Sequence, residues 1–246
     1  MVTLENPTID GGTLNTASGG LIQASGNPTL SGVTNKGTYQ LPNDQDTTLV
    51  GTITNTGAIQ LNSTGNATEL QASGTATLTG GGTVTLSDNV NNYLLQASGG
   101  GSLTNVNNTI SGAGNIGNGS MAFTNDAAGV VNAVSANGNA LTITTGSAAA
   151  TNLGLMEASS GGNLQLENTI ANTNGTTNGT IKALTGGVVT PVSYTHLDVY
   201  KRQARCAPAV RCAGRPRQSR EADRKLTAPA PPLRQAGLLP TDAVAR

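Results

Sequence analysis

The sequence repeats one short pattern, seen as Gly129-Val130-Val131-Asn132-Ala133, Gly154-Leu155-Met156-Glu157-Ala158 and Gly179-Thr180-Ile181-Lys182-Ala183, with each copy 25 residues after the last. Two earlier copies, Gly37–Leu41 and Gly57–Leu61, lie 20 residues apart. A strand-like segment that returns at such periods is typical of a solenoid, in which each repeat forms one coil. The recurrence therefore predicts a stack of coils.

Alternation within each copy predicts which side chains face inward. Residues two positions apart in a strand share a face, so Val131 and Ala133 point the same way, as do Met156 and Ala158. Rows of such residues would fill a narrow interior with aliphatic side chains. Aliphatic rows would also explain how a chain with one phenylalanine, four tyrosines and no tryptophan forms a core.

An asparagine precedes several of the repeated glycines by one or two positions. Stacked amide side chains can hydrogen-bond from one coil to the next and so hold the register. We therefore expect an asparagine ladder made by Asn35, Asn55, Asn152 and Asn178.

The sequence of residues 1–191 predicts strands separated by tight turns. It predicts no helix, because glycine, asparagine and threonine are too frequent for a helix of ordinary length. The expected turns include Ser98–Ser102, Gly112–Asn115 and Asn172–Gly175, where glycine and asparagine supply positive φ angles. The predicted fold is all-β, a right-handed parallel β-helix of roughly eight or nine coils over residues 1–191.

Two other all-β folds fit less well. A β-sandwich has short strands too, but its hairpins do not require one residue type to return at a fixed period. A calcium-binding β-roll requires tandem Gly-Gly-x-Gly-x-Asp repeats, and the sequence has none.

Charge divides the chain in two. Residues 1–191 hold two lysines and nine acidic residues, whereas residues 192–246 hold 11 basic and four acidic residues, so a net charge of zero hides charges of −7 and +7. A basic tail would ordinarily indicate nucleic-acid binding. Here the change in composition at Val192 gives another explanation.

Residues 192–203, Val192–Gln203, resemble a translated sequencing adapter, in which two inverted copies of a transposon end are joined. One allowed choice of codons makes this stretch an inverted repeat. Such a segment is excluded from fold reasoning. Residues 204–246, rich in Arg, Ala and Pro, are expected to be a disordered, non-native tail.

The chemistry-bearing residues of this tail are discounted for the same reason. Cys206 and Cys212 lack the paired Cys or His partners of a zinc site, and His196 lies inside the adapter-like stretch. We expect no metal, no cofactor and no nucleic-acid partner.

The segment Leu103–Gly117 and a recurrent apolar-Gln/Glu-Ala-Ser signature resemble the repeats of large bacterial secreted or surface β-helix proteins, the autotransporter passengers and filamentous-haemagglutinin-type adhesins. The signature occurs at Ile22–Ser25, Leu70–Ser73, Leu95–Ser98 and Met156–Ser159. The resemblance implies an extracellular or cell-surface structural and adhesive role without catalysis, and host or biofilm glycans or proteins as partners. With no signal peptide at its start and no membrane-inserted segment, the chain is expected to be an internal fragment.

A polysaccharide-cleaving β-helix enzyme, lyase or hydrolase, is the alternative. A lyase needs a basic proton acceptor, but residues 1–191 contain only Lys36 and Lys182, both expected at the surface without a role. A hydrolase needs two carboxylates, and Asp44 and Asp46 form the closest pair. A Pro-led turn is the simpler interpretation of that pair, so no catalytic residue is assigned.

Overall fold

The computed structural model describes residues 1–17 and 19–192. These residues form strands and turns, with no helix among them. The strands are β1 (Val2–Glu5), β2 (Thr8–Asp10), β3 (Thr13–Leu14), β4 (Ile22–Ser25), β5 (Thr29–Ser31), β6 (Thr34–Asn35), β7 (Thr38–Pro42), β8 (Asp46–Asn55), β9 (Ala58–Asn62), β10 (Thr68–Thr79), β11 (Thr83–Leu86), β12 (Asn92–Asn105), β13 (Thr109–Gly112), β14 (Gly114–Ile116), β15 (Ala122–Asn125), β16 (Val130–Val134), β17 (Ala140–Thr144), β18 (Ala150–Asn152), β19 (Leu155–Ser159), β20 (Asn163–Glu167), β21 (Ile170–Ala171), β22 (Thr180–Ala183) and β23 (Val188–Pro191).

Successive strands fall on three faces of a coil. Face A is a nine-stranded sheet in the order β1-β4-β7-β9-β11-β13-β16-β19-β22. Face B is formed by the strand that comes next in the chain after each face A strand. It contains β2, β5, the first halves of β8, β10 and β12, then β14, β17, β20 and β23. Face C contains β3, β6, the second halves of β8, β10 and β12, then β15, β18 and β21. The three long strands bend from face B into face C and join the two.

Neighbouring strands on every face are parallel and one coil apart. On face A, Val131 pairs with Met156 and Met156 with Ile181, while Ala133 pairs with Ala158 and Ala158 with Ala183. The predicted rungs are therefore confirmed, and the chain forms a parallel solenoid of about 8 turns. The fixed recurrence correctly favoured a solenoid over a sandwich. Its right-handed sense stays a prediction, based on the strong preference of parallel crossover connections.

Inward-facing side chains form the core. Leucine, isoleucine, valine and alanine dominate it, and most of these side chains are fully buried. Two aromatic side chains join the aliphatic rows, because Tyr39 and Phe123 are among the largest fully buried side chains. The Tyr39 hydroxyl lies 2.8 Å from Thr47 Oγ1, so its polar end is satisfied, and burial raises the pKa of Tyr39 to about 12.

Two of the predicted turns are present. Residues Gly112–Asn115 form a tight corner between β13 and β14, with φ angles of 125° at Gly112 and 143° at Gly114. Asn172–Gly175 also contains a turn, with a φ of 88° at Gly175. The third prediction was wrong, because residues Ser98–Ser102 lie within β12, where the register against β10 shifts between Ala72 and Gly74. A glycine-rich stretch can continue a strand because a change of register absorbs its extra residues as a bulge.

The repeated glycine is required by close packing between coils. A Cβ at Gly57, Gly154 or Gly179 would overlap a backbone carbonyl oxygen of the preceding coil. None of these three glycines has a positive φ. The motif glycine therefore differs from the corner glycines such as Gly138, whose φ is 80°.

An asparagine ladder runs along the corner between faces C and A. Asn35 Nδ2 donates to Asn55 Oδ1 at 2.8 Å, and Asn125 Nδ2 donates to Asn152 Oδ1 at 2.9 Å. Several of the same Nδ2 atoms also donate to the carbonyl of the first face A residue in the next coil, as Asn55 does to Thr83 at 3.0 Å. The Nδ2 atoms of Asn35, Asn55, Asn125 and Asn152 therefore all donate towards the following coils.

The ladder contains residues that the sequence did not predict. Asn108 takes the place of a motif glycine and accepts from Asn55 at 2.9 Å, bridging the coil in which Gly80 replaces the asparagine. Asn105 then donates to Asn125 at 2.9 Å.

The prediction of Asn178 as a rung was wrong. Asn152 donates instead to Asn172 at 2.7 Å. Asn178 is exposed and forms an isolated antiparallel bridge with Thr173. The extra turn in this coil moves the rung seven residues ahead of Gly179.

Val192 is the last described residue, and its N–H donates to the Leu166 carbonyl at 2.9 Å. Apart from Val192, the adapter-like junction, the predicted disordered tail and its two cysteines fall within residues 193–246. They lie outside the described residues.

Candidate functional site

A group of three carboxylates lies where face B begins. Asp46 is the first residue of β8 and pairs in register with Glu69 of β10, so these two side chains stand on neighbouring coils of one surface. Asp44 precedes them in the turn after Pro42, has a φ of 68° and is exposed. The expected turn is therefore present, and the pair closest in sequence, Asp44 and Asp46, is not the pair that shares a strand register.

Burial and the negative charges of two neighbouring carboxylates favour the protonated form of Asp46. Partial burial, together with the charges of Glu69 and Asp44, raises the pKa of Asp46 to about 6. Gln71 Nε2 donates to Glu69 Oε2 at 2.8 Å and orients that carboxylate. Asp46 can therefore hold a proton in mildly acidic solution, as a general acid must.

Sequence reasoning missed Glu69 as the partner of Asp46. The two residues are 23 positions apart, which lies between the 20- and 25-residue periods of the motif. The periodicity alone thus brings them to neighbouring coils, but it does not fix the register within one residue. Tyr93 and Asn115 continue the same row on the following coils, so an aromatic ring lies next to Glu69 and an amide lies beyond that ring.

A second polar centre is Asp88, which joins two coils across a third. Its Oδ1 accepts from Ser135 Oγ at 2.6 Å, and its Oδ2 accepts from the N–H groups of Ala136 and Asn137 at 2.8 and 2.9 Å. Asn139 Nδ2 also donates to Oδ1 at 3.0 Å. In the coil between them, Ala113 alone connects β13 to β14. No longer corner loop therefore separates Asp88 from Ser135.

These bonds determine the protonation of Asp88. Burial raises the pKa of its carboxyl group, but the hydrogen bonds from Ser135, Asn139, Asn137 and Ala136 together outweigh it and lower the pKa below its usual value. A carboxylate held ionised by so many donors acts as a structural clamp and is a poor proton carrier.

The remaining residues considered from the sequence are surface side chains. Lys182 forms an ion pair with Glu157, with Nζ and Oε2 3.1 Å apart, so it has a structural partner that the sequence did not predict. Lys36 is exposed.

A shallow cleft of about 410 Å³ lies between the turn after β17 and the turn after β20. Its lining is small and uncharged, and consists of Gly146, Ser147, Ala148, Ala149, Ala150, Thr151, Asn168, Thr169 and Ala171. The cleft therefore offers no charged group to a ligand.

Within the described residues, no three His, Cys, Asp or Glu side chains lie together in a geometry that could hold a metal ion. Within the same residues there is no helix that is long and apolar enough to span a membrane. No protein-family model, curated protein or solved structure matches this chain.

Proposed function

We propose that the chain is a segment of an exported bacterial surface protein, with a structural and adhesive role. The observation that supports it is the continuity of the solenoid: face A runs through nine strands, and the buried asparagine ladder follows it. Nine strands at roughly 4.8 Å spacing give a rod of about 40 Å whose three faces are available for contact.

Adhesion by this rod is tested by display on a bacterium that does not adhere. Cells displaying the full chain should attach to host-cell matrix or biofilm more than cells displaying a variant with Gly154→Ala and Asn125→Ala, which disrupts the stacking of coils. Equal attachment by both strains, with both proteins detected at the surface, would contradict the proposal.

A polysaccharide hydrolase is the second candidate, favoured by the Asp46 and Glu69 pair. In that role Asp46, whose pKa is about 6, donates a proton to the glycosidic oxygen, and Glu69 attacks the anomeric carbon. Strands on neighbouring coils are about 4.8 Å apart, and the carboxyl groups of retaining glycosidases are separated by about 5–5.5 Å. Tyr93 would stack on a sugar ring bound next to them.

The test is incubation of the chain with neutral and acidic polysaccharides at pH 5, followed by measurement of reducing ends. Activity should be lost in both Asp46→Asn and Glu69→Gln and kept in Glu167→Gln, which alters a carboxylate further along face B. Absence of cleavage by the wild-type chain, or equal loss in Glu167→Gln, would exclude this candidate.

A further inference from the structure

Face C carries two rows of threonine side chains. In the first row Thr13 pairs with Thr34, Thr34 with Thr54, and Thr54 with Thr79. The second row lies two residues earlier on β8 and β10 and continues over β12, β15 and β18, through Thr52, Thr77, Thr104, Thr124 and Thr151. On β8 and β10 the rows stand side by side.

Charge sets this face apart from the other two. Face A carries Glu5, Glu157 and Lys182, and face B carries Asp10, Asp46, Glu69 and Glu167. The strands assigned to face C contain no charged residue in the described part of the chain.

The threonines are held in a regular array. Their neighbours Ile53, Leu78 and Leu103 point inward and are fully buried, and the asparagine ladder fixes the adjacent corner. Because threonine is β-branched, its χ1 angle is restricted, so methyl and hydroxyl groups repeat with the strands. The repeats are about 4.8 Å along the solenoid axis and roughly 6.6 Å between alternate residues of a strand.

We propose that face C binds the surface of ice. Ice is a neutral, periodic lattice of water molecules, and the neutral, periodic hydroxyl and methyl array of face C complements it in charge and in hydrogen-bonding groups. Methyl groups order the water next to them, and hydroxyl groups hydrogen-bond to it. A charged side chain would hold its own hydration shell and disturb that order.

The test is partition of the full chain between a slowly growing ice ball and the remaining solution. The wild-type chain should enter the ice, and the double variant Thr77→Lys with Thr104→Lys should stay in solution because two charges stand in the centre of the array. The single variant Thr124→Lys is a second variant on the same face. The control is Thr85→Lys, which places the same charge on face A.

Circular dichroism is used to show that each variant keeps its β-structure. Exclusion of the wild-type chain from the ice would overturn the proposal, whatever the variants do. Equal exclusion of folded Thr85→Lys and the face C variants would overturn it as well. Binding of the wild-type chain to crystalline polysaccharide but not to ice would assign face C to a different ligand.

Discussion

Asn125 connects the two coils next to it, and its role defines a prediction at the scale of single residues. It accepts from Asn105 Nδ2, and its own Nδ2 donates to Asn152 Oδ1, both at 2.9 Å. The change Asn125→Ala leaves a buried acceptor on Asn152 without this donor and removes one acceptor from Asn105. Each buried polar group that loses its partner costs about 1–3 kcal/mol, so we expect a loss of roughly 3 kcal/mol in the free energy of unfolding.

The control for this change is Asn178→Ala. Asn178 has the offset from its glycine that the sequence associates with the ladder, yet its side chain is exposed. Urea denaturation should show a change within about 0.5 kcal/mol for this variant. Equal destabilisation by both variants would mean that the ladder contributes no more than an exposed amide does.

Glycine to alanine substitutions test the second residue-scale requirement. A Cβ at Gly154 would overlap the carbonyl oxygens of Asp126 and Gly129, so Gly154→Ala should force two coils apart and cost roughly 3 kcal/mol or more. A Cβ at Gly99 would meet no heavy atom within 4 Å, and the φ of Gly99 is not positive, so Gly99→Ala should have little effect. Thermal unfolding of both variants checks the difference, and similar melting temperatures would contradict it.

Residue patterns predicted the rungs better than the ladder. The spacing within a strand is fixed, so Val131, Met156 and Ile181 follow from their distance to the glycine. The asparagine lies at the end of face C, and a corner of variable length separates it from the next glycine. Gly154 comes two residues after Asn152, whereas Gly129 comes four residues after Asn125. A fixed distance between asparagine and glycine therefore does not predict the ladder residues.

At the scale of elements, Asp88 links the corner after β11 to the corner after β16. Substitution by asparagine removes acceptor capacity for the N–H groups of Ala136 and Asn137, which donate to Oδ2. Because the Asp88 carboxylate is only partly buried, we expect a modest cost of about 1–2 kcal/mol at neutral pH. The matched control is Asp126→Asn, an acidic residue at another corner.

The pH dependence of this clamp has a defined sign. The pKa of Asp88 is lower in the folded chain than its usual value, so its contribution to stability is present at neutral pH and is lost as the pH falls through the folded pKa. The difference in stability between wild type and Asp88→Asn should therefore shrink in strong acid. A difference that stays constant down to about pH 2 would contradict the role of the ionised carboxylate.

Asp46 should show the opposite behaviour. Its pKa is raised to about 6 when folded, so the folded state favours the proton and loses stability as the pH rises through about 6. Asp46→Asn removes a charge placed directly opposite Glu69, and should be more stable than wild type at pH 8 by less than about 1 kcal/mol after screening by solvent. Denaturation at pH 4 and pH 8 should show this gain only at the higher pH.

The site on face B illustrates what a sequence of this type conceals. Its strands and their approximate coil positions follow from the period, but pairing Asp46 with Glu69 requires the register of β8 against β10. A shift of one residue would place Glu69 on the inner side of the sheet. The lengths of the corners between strands determine that register. The alternation of apolar and polar residues within a strand gives no information about those lengths.

For the whole molecule, the solenoid predicts a gradient of local stability along its axis. Strands such as β11 and β13 pair with neighbours on both sides and alternate between buried and outward residues, whereas β1 and β22 are largely exposed. In a stack whose coils contact only their neighbours, stability is the sum of coil and interface terms, so the end coils should open more easily. Hydrogen exchange measured by mass spectrometry should show slow amides in β9 to β16 and fast ones in β1 and β22. Uniform exchange along the chain would instead mean that the coils unfold as one cooperative unit.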